Sequence, residues 1–416
     1  MRATLHLAPG KDKAVMRRHP WIFSGAVRKI VGEPQEGDLV DVVAADGRWL
    51  AVGHYQPDSI ICKVLSFDTQ QVDEQFFRER LQSAIAYRER LGFFGNKKDE
   101  FGVVDNSQFV RADTGVSPYD SQITNVFRLV HAEGDFLPGL VCDWYNGVLV
   151  MQAHSVGMHR LFPMLTELFV DLLGKHGIKS VFDKSSATVP GGCKDGYIWG
   201  DEPEEWEICE HGSRLLINFY EGQKTGFFVD QRENRNLVAS LAEGQRVLNC
   251  FGYTGGFSLA ALRGGASYVE TVDISKKAIE LCNRNVTLNF GDGASHRGVV
   301  ADVLKYMEEV DNQFNLIILD PPAFAKNHRS LQQGLKGYRN INQRAMEKIR
   351  PGGLLLTFSC SQAVSNDDFK TVCFTAAANA HKQVRIVRQL PHAMDHPVSI
   401  YHPEGEYLKG LLLEIE

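Results

Sequence analysis

The sequence lacks several features that would define a specialised class of protein. No run approaches the roughly 18 apolar residues of a membrane-spanning helix. The amino-terminal stretch has no apolar core of a secretory signal. The 38 glycines and 15 prolines among 416 residues are near average and form no collagen-like or low-complexity pattern. We therefore expect a cytoplasmic protein with no membrane partner, in which 44% hydrophobic residues build more than one core.

Cysteine patterns that bind metal are also missing. The eight cysteines, at positions 62, 142, 193, 209, 250, 282, 360 and 373, include no CxxC pair and no His/Cys cluster with zinc spacing. We therefore expect no metal ion, and thiols that are reduced. Most of them should be small buried hydrophobic side chains.

An excess of positive charge, which a protein that coats nucleic acid would need, is absent. There are 45 basic and 51 acidic residues, and the net charge is −6. The charges are segregated, however. Residues 1–30 and residues 324–350 each carry seven Lys or Arg against one acid, whereas residues 197–210 hold six acids and no base. Each basic segment is either a local binding face or an ordinary solvated surface.

The first half of the chain predicts two domains. Residues 1–70 contain short apolar runs around a turn signal at 44–47, which is typical of a small β domain. Residues 71–200 combine helical spacing at 74–91 and 159–177 with strand-like runs around a turn-rich stretch at 134–144. That combination is typical of a mixed α+β domain.

Residues 201–416 form the third predicted domain, of the α/β class. From about residue 236, five strand-like runs alternate with helix-like runs, which predicts a doubly wound parallel sheet. Two final apolar runs, 384–390 and 407–415, predict an antiparallel hairpin at the edge of that sheet.

Ligands bind at the carboxyl ends of the strands in such a sheet. The first strand leads into FGYTGGF at 251–257, where glycines allow a ligand to approach the backbone closely. This loop lacks the GxGxxG spacing that a dinucleotide-binding oxidoreductase would need. Asp273 ends the second strand and can accept two ribose hydroxyls. Asp302 ends the third strand, where it can accept an adenine amino group or cap a helix.

The fourth strand ends in Asp320-Pro321-Pro322. The glycine loop, the two acids and Asp-Pro-Pro, in this order, resemble class I S-adenosylmethionine-dependent methyltransferases. That resemblance implies S-adenosylmethionine as cofactor, held by the loop residues Phe251, Tyr253, Thr254 and Gly255 together with the two acids.

Cys360 ends the fifth strand, on the same rim as Asp320. Neighbouring strands are roughly 5 Å apart, so both side chains can reach one substrate ring. Carbon 5 of a pyrimidine becomes a nucleophile only after a thiolate adds at carbon 6, which is covalent catalysis. Asp320 can then hold the exocyclic amine and a protonated ring nitrogen of cytosine. The alternative is that Cys360 is simply a buried strand-end cysteine.

Longer stretches resemble the RlmI family of bacterial 23S ribosomal RNA cytosine-5 methyltransferases. They cover almost the whole chain and comprise residues 131–140, 222–232, 247–257, 356–361, 395–397 and 403–410. The resemblance implies an N-terminal PUA domain, a central strand–strand–helix–strand–strand domain and a C-terminal Rossmann-like domain. It also implies that Cys360 is the nucleophile and that Gln231 and Arg232 lie near the cofactor.

The partner that the resemblance implies is 23S ribosomal RNA, held by the basic N-terminal domain. Three other functions stay open. One is a methyltransferase of free nucleotides or of proteins, which would have no use for the two N-terminal domains. Related enzymes that methylate guanine at nitrogen 7 keep an Asp-Pro-Pro-x-Phe motif but lack the strand-five cysteine, so Cys360 separates the two groups. A non-enzymatic RNA-binding protein of ribosome assembly would need neither the glycine loop nor Cys360. A homodimer is one of the oligomeric states that stay open.

Overall fold

The structure is a computed structural model that describes residues 2–94, 124–189, 191–325 and 327–416. The chain divides into two compact units. The first comprises Met1–Cys209, Ile217–Val229 and Met394–Gly405, and the second comprises Glu210–Leu216, Asp230–Ala393 and Glu406–Glu416. The predicted division at residues 70 and 200 stays a prediction. Among the described residues, no helix combines the length and apolarity needed to cross a membrane.

The first unit opens with a six-stranded sheet in the order β2-β6-β5-β4-β1-β3. Alternating side chains such as Leu5, Leu7, Val40 and Val42 bury one face of this sheet. The predicted hairpin is present, with Gly47 at φ +86° in the turn between β4 and β5. The elements are β1 (Ala3–Leu7), α1 (Lys13–Met16), β2 (Trp21–Phe23), β3 (Val27–Val31), β4 (Leu39–Val43), β5 (Trp49–Tyr55) and β6 (Ile60–Ser66).

The rest of the first unit is built on a five-stranded sheet in the order β11-β10-β9-β8-β7. Helix α2 begins at an Asp73 cap, which accepts a bond from the Phe76 amide. The elements are α2 (Glu74–Arg90), β7 (Val126–His131), β8 (Leu140–Tyr145), β9 (Val148–Ala153), α3 (Val156–His159), α4 (Phe162–Leu173), β10 (Ser180–Asp183) and β11 (Gly196–Gly200). From β8 onward the order is strand, strand, helix, strand, strand, as predicted, except that the short helix α3 precedes α4; β7 precedes this segment.

One prediction for this sheet was wrong. Residues 134–144 were predicted to be turn-rich, whereas β8 begins at Leu140 and pairs with both β7 and β9. Gly134 and Gly139 supported the turn prediction, and they do lie before the strand. From Leu140 onward, Cys142 and Trp144 are buried in the core, and this burial favours a central strand.

A two-stranded sheet follows in the chain and consists of β12 (Trp206–Glu210) and β13 (Ser213–Ile217).

The second unit contains a seven-stranded sheet in the order β16-β15-β14-β17-β18-β20-β19. Strands β14 to β18 are parallel and alternate with helices, so the predicted doubly wound sheet is confirmed. Its elements are α5 (Arg232–Leu241), β14 (Arg246–Cys250), α6 (Gly256–Arg263), β15 (Tyr268–Asp273), α7 (Lys276–Phe290), β16 (His296–Val300), α8 (Val303–Glu309), β17 (Leu316–Leu319), α9 (Leu331–Lys348), β18 (Gly353–Ser359), α10 (Asn366–Asn379), β19 (Val384–Leu390) and β20 (Lys409–Ile415).

The central strands of this sheet are buried on both faces. Along β14, Val247 packs on one side and Leu248 on the other, as parallel strands covered by helices require. The predicted closing hairpin is antiparallel, but only β19 is at the edge, because β20 pairs with both β18 and β19. Strand order reverses at β14, so a crevice forms at the carboxyl ends of β14 and β17.

Candidate active site

The loop after β14 is held in an uncommon backbone conformation. Phe251, Tyr253 and Gly255 have φ values of +58°, +45° and +86°. Aromatic residues seldom adopt positive φ, and such backbone strain concentrates at functional sites. Hydrogen bonds hold the loop in this shape, from Gly252 N to Val272 O at 3.1 Å and from Gly255 N to Gly252 O at 2.9 Å.

The Asp273 carboxylate is directed at this loop from the end of β15. One oxygen accepts from Tyr253 N at 3.0 Å, and the other accepts from Ser275 N at 2.8 Å. Each carboxylate oxygen has a second lone pair, so both can accept a further hydrogen bond. The carboxylate therefore fixes the loop and can still receive a diol.

Asp302 lies beside Asp273 along the rim of the sheet. The Ala301 amide donates to the Asp273 carbonyl at 3.0 Å. The Asp302 side chain is exposed and caps α8, where Oδ1 accepts from Lys305 N at 3.1 Å. The helix-capping alternative is therefore present in the structure, and the second carboxylate oxygen can still act as an acceptor.

Asp320, at the end of β17, is the acceptor of a chain of amide hydrogen bonds. Gln231 Nε2 donates to Asp320 Oδ1 at 3.0 Å, and Asn234 Nδ2 donates to Gln231 Oε1 at 2.6 Å. The Asn234 bond fixes which end of the Gln231 amide is the donor. Arg232 is fully buried in the first turn of α5, where its Nε lies 3.2 Å from Glu233 Oε1.

Cys360 follows the last residue of β18, next to the Asp-Pro-Pro segment. Its Sγ lies 3.9 Å from Pro321 O, so the thiol and the Asp320 motif share one site. The thiol is half-buried, whereas Cys250 at the end of β14 is fully buried. Burial raises the pKa of Cys250, and it raises the pKa of Cys282 to about 12. Those two thiols are held in the protonated form.

Three side chains that the sequence did not single out as site residues complete the surroundings of Cys360. The hydroxyl groups of Tyr338 and Ser361 are 2.8 Å apart. Lys409 Nζ donates to Ser361 O at 2.7 Å. An isolated lysine within the apolar run 408–413 was the available signal for Lys409.

A family model described as S-adenosylmethionine-dependent methyltransferase matches residues 174–399, more than half of the chain. The chain belongs to this methyltransferase family. A second family model, described as a PUA-like domain, matches residues 5–67 and so covers nearly all of the predicted β domain.

Curated relatives agree with the methyltransferase family over the full length. Proteins named ribosomal RNA large subunit methyltransferase I from Tolumonas auensis and Shewanella denitrificans are each 37% identical to this chain. The Tolumonas alignment covers 99% of both proteins, and the Shewanella alignment covers 100% of both. The resemblance to the family of these enzymes is thereby confirmed.

Solved structures give the same fold. A putative S-adenosylmethionine-dependent methyltransferase from Streptococcus mutans matches all of this chain with a TM-score of 0.80 and 20% sequence identity. Another, described as a putative methyltransferase complexed with SAH, matches with a TM-score of 0.81 and the same identity. At 20% sequence identity, this similarity shows a shared fold alone.

The methyltransferase cofactor S-adenosylmethionine fits the residues at the β14 and β15 ends. A Cβ on Gly252 would lie 2.2 Å from Thr271 Cγ2, so only glycine allows the loop its close path. Thr254 Oγ1 is buried and has no hydrogen-bond partner among the described residues. The Thr254 hydroxyl and the Asp273 carboxylate, which can accept further hydrogen bonds, can therefore bind the polar groups of a nucleoside. No group of His, Cys, Asp and Glu in the described ranges could hold a metal ion.

The basic N-terminal segment contains two adjacent arginines that differ in their side-chain contacts. Arg17 is exposed. Arg18 forms a bidentate pair with Asp68, at 3.0 and 2.5 Å, and this hydrogen-bonded carboxylate raises the pKa of Arg18. In the other basic segment, 324–350, Lys326 lies outside the described residues.

Proposed function

We propose that this methyltransferase forms 5-methylcytidine in 23S ribosomal RNA through a covalent adduct with Cys360. The observation that carries the proposal is the distance of 3.9 Å between Cys360 Sγ and Pro321 O. A half-buried thiol therefore lies beside the Asp-Pro-Pro segment, at the ends of neighbouring strands. The relatives' name supports ribosomal RNA as the substrate and, with it, action in the cytoplasm.

The chemistry follows from the reactivity of cytosine. The Cys360 thiolate adds to carbon 6, and carbon 5 becomes enamine-like and nucleophilic. Asp320 holds the exocyclic amine and the protonated ring nitrogen, and so withdraws electron density from the ring. Gln231, held by Asn234, keeps the Asp320 carboxyl oriented. Carbon 5 takes the methyl group as the methyl–sulfonium bond of the donor breaks. Loss of the carbon-5 hydrogen as a proton then allows the thiol to leave.

S-adenosylmethionine, when bound, supplies the methyl group. We propose that Asp273 accepts its ribose hydroxyls and that Asp302 accepts its adenine amino group. Phe251, Tyr253, Thr254 and Gly255 form the loop against which it lies, and Arg232 belongs to the same site. The amides that already bind Asp273 keep its carboxylate in one orientation before the ligand arrives.

The test is to incubate the purified protein with labelled S-adenosylmethionine and ribosomal RNA from a strain that lacks this modification. Nucleoside analysis by mass spectrometry should find 5-methylcytidine. Formation of 7-methylguanosine would favour the guanine alternative, and no transfer to any RNA would favour the assembly-factor alternative.

Two cysteine variants provide the matched control. Cys360→Ser should abolish product, because a hydroxyl is a far weaker nucleophile than a thiolate. Cys373→Ser alters a buried thiol of α10 that lies beside Asn342 and should keep the activity. Equal activity of the two variants would contradict the role of Cys360.

A further inference from the structure

Lys409 is the residue of β20 that lies opposite the end of β18. Its register partner is Ser359, the residue before Cys360. Its Nζ donates hydrogen bonds to Ser361 O and to Tyr407 O, both at 2.7 Å. The amine is therefore bonded to the residue that follows Cys360 and paired across the sheet with the residue that precedes it.

The surroundings of this amine are unusual for a lysine. The residue is only 4% exposed, and buried lysines are normally paired with an anion. Within the part of the chain that the structure describes, no carboxylate forms an ion pair with Lys409. Burial lowers the pKa of Lys409 to about 8, while the charges of Cys360 and Glu406 act to raise it. The thiolate of Cys360 is thus a nearby anion that a protonated Lys409 can stabilise.

We propose that Lys409 is a positioning residue whose ammonium group holds Cys360 as a reactive thiolate. One proton separates the two forms of the pair: a neutral thiol and amine become a thiolate and an ammonium ion when the proton leaves sulfur for nitrogen. The two backbone carbonyls fix the ammonium in place beside the residues that flank Cys360, and its positive charge stabilises the thiolate. This inference rests on the proposed function, because only a nucleophilic Cys360 needs to be ionised.

Other titratable groups also face the pair. The Tyr338 hydroxyl of α9 interacts electrostatically with Cys360, and burial raises the pKa of Tyr338, so the phenol stays neutral near pH 7. Glu406 is exposed and accepts from Asn366 at 3.0 Å. It acts on Lys409 from the solvent side, where its charge is screened.

Asp320 and His392 are two further titratable groups near the pair. Asp320 directly precedes Pro321 in the chain, and its side chain accepts a hydrogen bond from Gln231. As a carboxylate it disfavours a neighbouring thiolate, which makes a compensating cation more necessary. His392 Nε2 accepts from Leu408 N at 2.8 Å, and an accepting nitrogen carries no proton.

The test is the pH dependence of Cys360 alkylation by iodoacetamide, followed by mass spectrometry of the peptide that contains Cys360. This readout uses neither RNA nor S-adenosylmethionine. A free thiol ionises at about pH 8.5, and we expect the wild-type midpoint to lie below that value. Lys409→Met should slow alkylation at pH 7 by about tenfold, because the thiolate fraction falls with the lost charge. Lys409→Arg should restore most of the rate.

The matched control is Lys63→Met. Lys63 is also a buried lysine that donates to a backbone carbonyl, His154 O, at 2.7 Å, but it belongs to the first unit. Its removal should leave the alkylation profile of Cys360 unchanged. If Lys409→Met leaves that profile unchanged, or if the wild-type midpoint lies at or above 8.5, the inference is wrong. The wild-type measurement decides the matter even if Lys409→Met does not fold.

Failure of this inference and failure of the proposed function give different results. Suppose that the Lys409→Met substitution changes the pH profile of Cys360 alkylation, but the wild-type protein forms no 5-methylcytidine. This result would support the ion pair and contradict the function. Normal 5-methylcytidine formation, together with an alkylation profile that Lys409→Met leaves unchanged, would contradict the ion pair alone.

Discussion

At the scale of single residues, Asp273 is the group whose removal should affect the cofactor most. Its carboxylate binds two backbone amides and has acceptor capacity for two hydroxyls. Charge-assisted hydrogen bonds are worth about 1.5–3 kcal/mol each. Asp273→Ala should therefore weaken S-adenosylmethionine binding at least tenfold, as isothermal titration calorimetry can measure.

The neighbouring acid provides a control for Asp273. Asp302→Ala removes the cap of α8, which should cost about 1 kcal/mol of unfolding free energy. Because Asp302 is exposed and would contact only the adenine, its loss should weaken binding less than the loss of Asp273 does. A folded Asp273→Ala protein with wild-type affinity would exclude the ribose role.

The places of the proposed site residues in the fold could be predicted from the sequence where they follow from local position. Asp273 is the last residue of β15, and Asp320 and Cys360 directly follow β17 and β18; the carboxyl ends of such parallel strands share one edge. Lys409 could not be found in this way. Its contact with Ser361 depends on β20 entering the sheet beside β18, which is a long-range pairing that no local pattern specifies.

At the scale of structural elements, the loop between β14 and α6 combines strain with close packing. Gly252 does not have a positive φ, but it has no room for a side chain, since an added Cβ would lie 2.2 Å from Thr271 Cγ2. Gly252→Ala should therefore displace the loop, lower the unfolding free energy by about 1–3 kcal/mol and weaken cofactor binding. Urea unfolding and calorimetry measure the two effects.

Gly293 is the matched control for Gly252. An added Cβ there meets nothing within 4 Å, and the residue precedes β16 on the surface. Gly293→Ala should change the unfolding free energy by less than about 1 kcal/mol and leave cofactor binding intact. If the two variants behave alike, the close path of the loop is not what the cofactor site requires.

The elements also show why the fold was largely predictable. Strands β14 to β18 are short, apolar and separated by amphipathic helices, so their order and parallel arrangement follow from chain order and handedness. The position of β20 between β18 and β19 does not follow, because a terminal hairpin can add to a sheet with either strand inward. Strand β8 was missed because Gly134 and Gly139 just before it favour a turn.

At the scale of the whole molecule, the distribution of charge decides where RNA can bind. The net charge of −6 opposes binding of a polyanion, so binding depends on local basic faces. In the N-terminal segment, Asp68 already partly neutralises Arg18, whereas Arg17 is exposed and forms no ion pair within the described ranges. The two adjacent arginines should therefore contribute unequally.

We expect Arg17→Gln to flatten the salt dependence of binding to a 23S ribosomal RNA transcript by about one unit of log–log slope. Arg18→Gln should change it less, because removing Arg18 also leaves the Asp68 charge uncompensated. Filter binding over a series of salt concentrations gives both slopes. If neither slope changes, the RNA face lies elsewhere, and the basic segment 324–350 becomes the next candidate.

The covalent role of Cys360 is most directly tested with RNA that carries 5-fluorocytidine at the target position. Fluorine replaces the hydrogen that must leave carbon 5, so the thiol cannot be eliminated and stays bound to carbon 6. We predict a protein–RNA adduct that survives denaturation, requires S-adenosylmethionine and is absent in Cys360→Ser. A wild-type protein that methylates its RNA but forms no such adduct, or a Cys360→Ser protein that methylates at near the wild-type rate, would contradict the covalent mechanism.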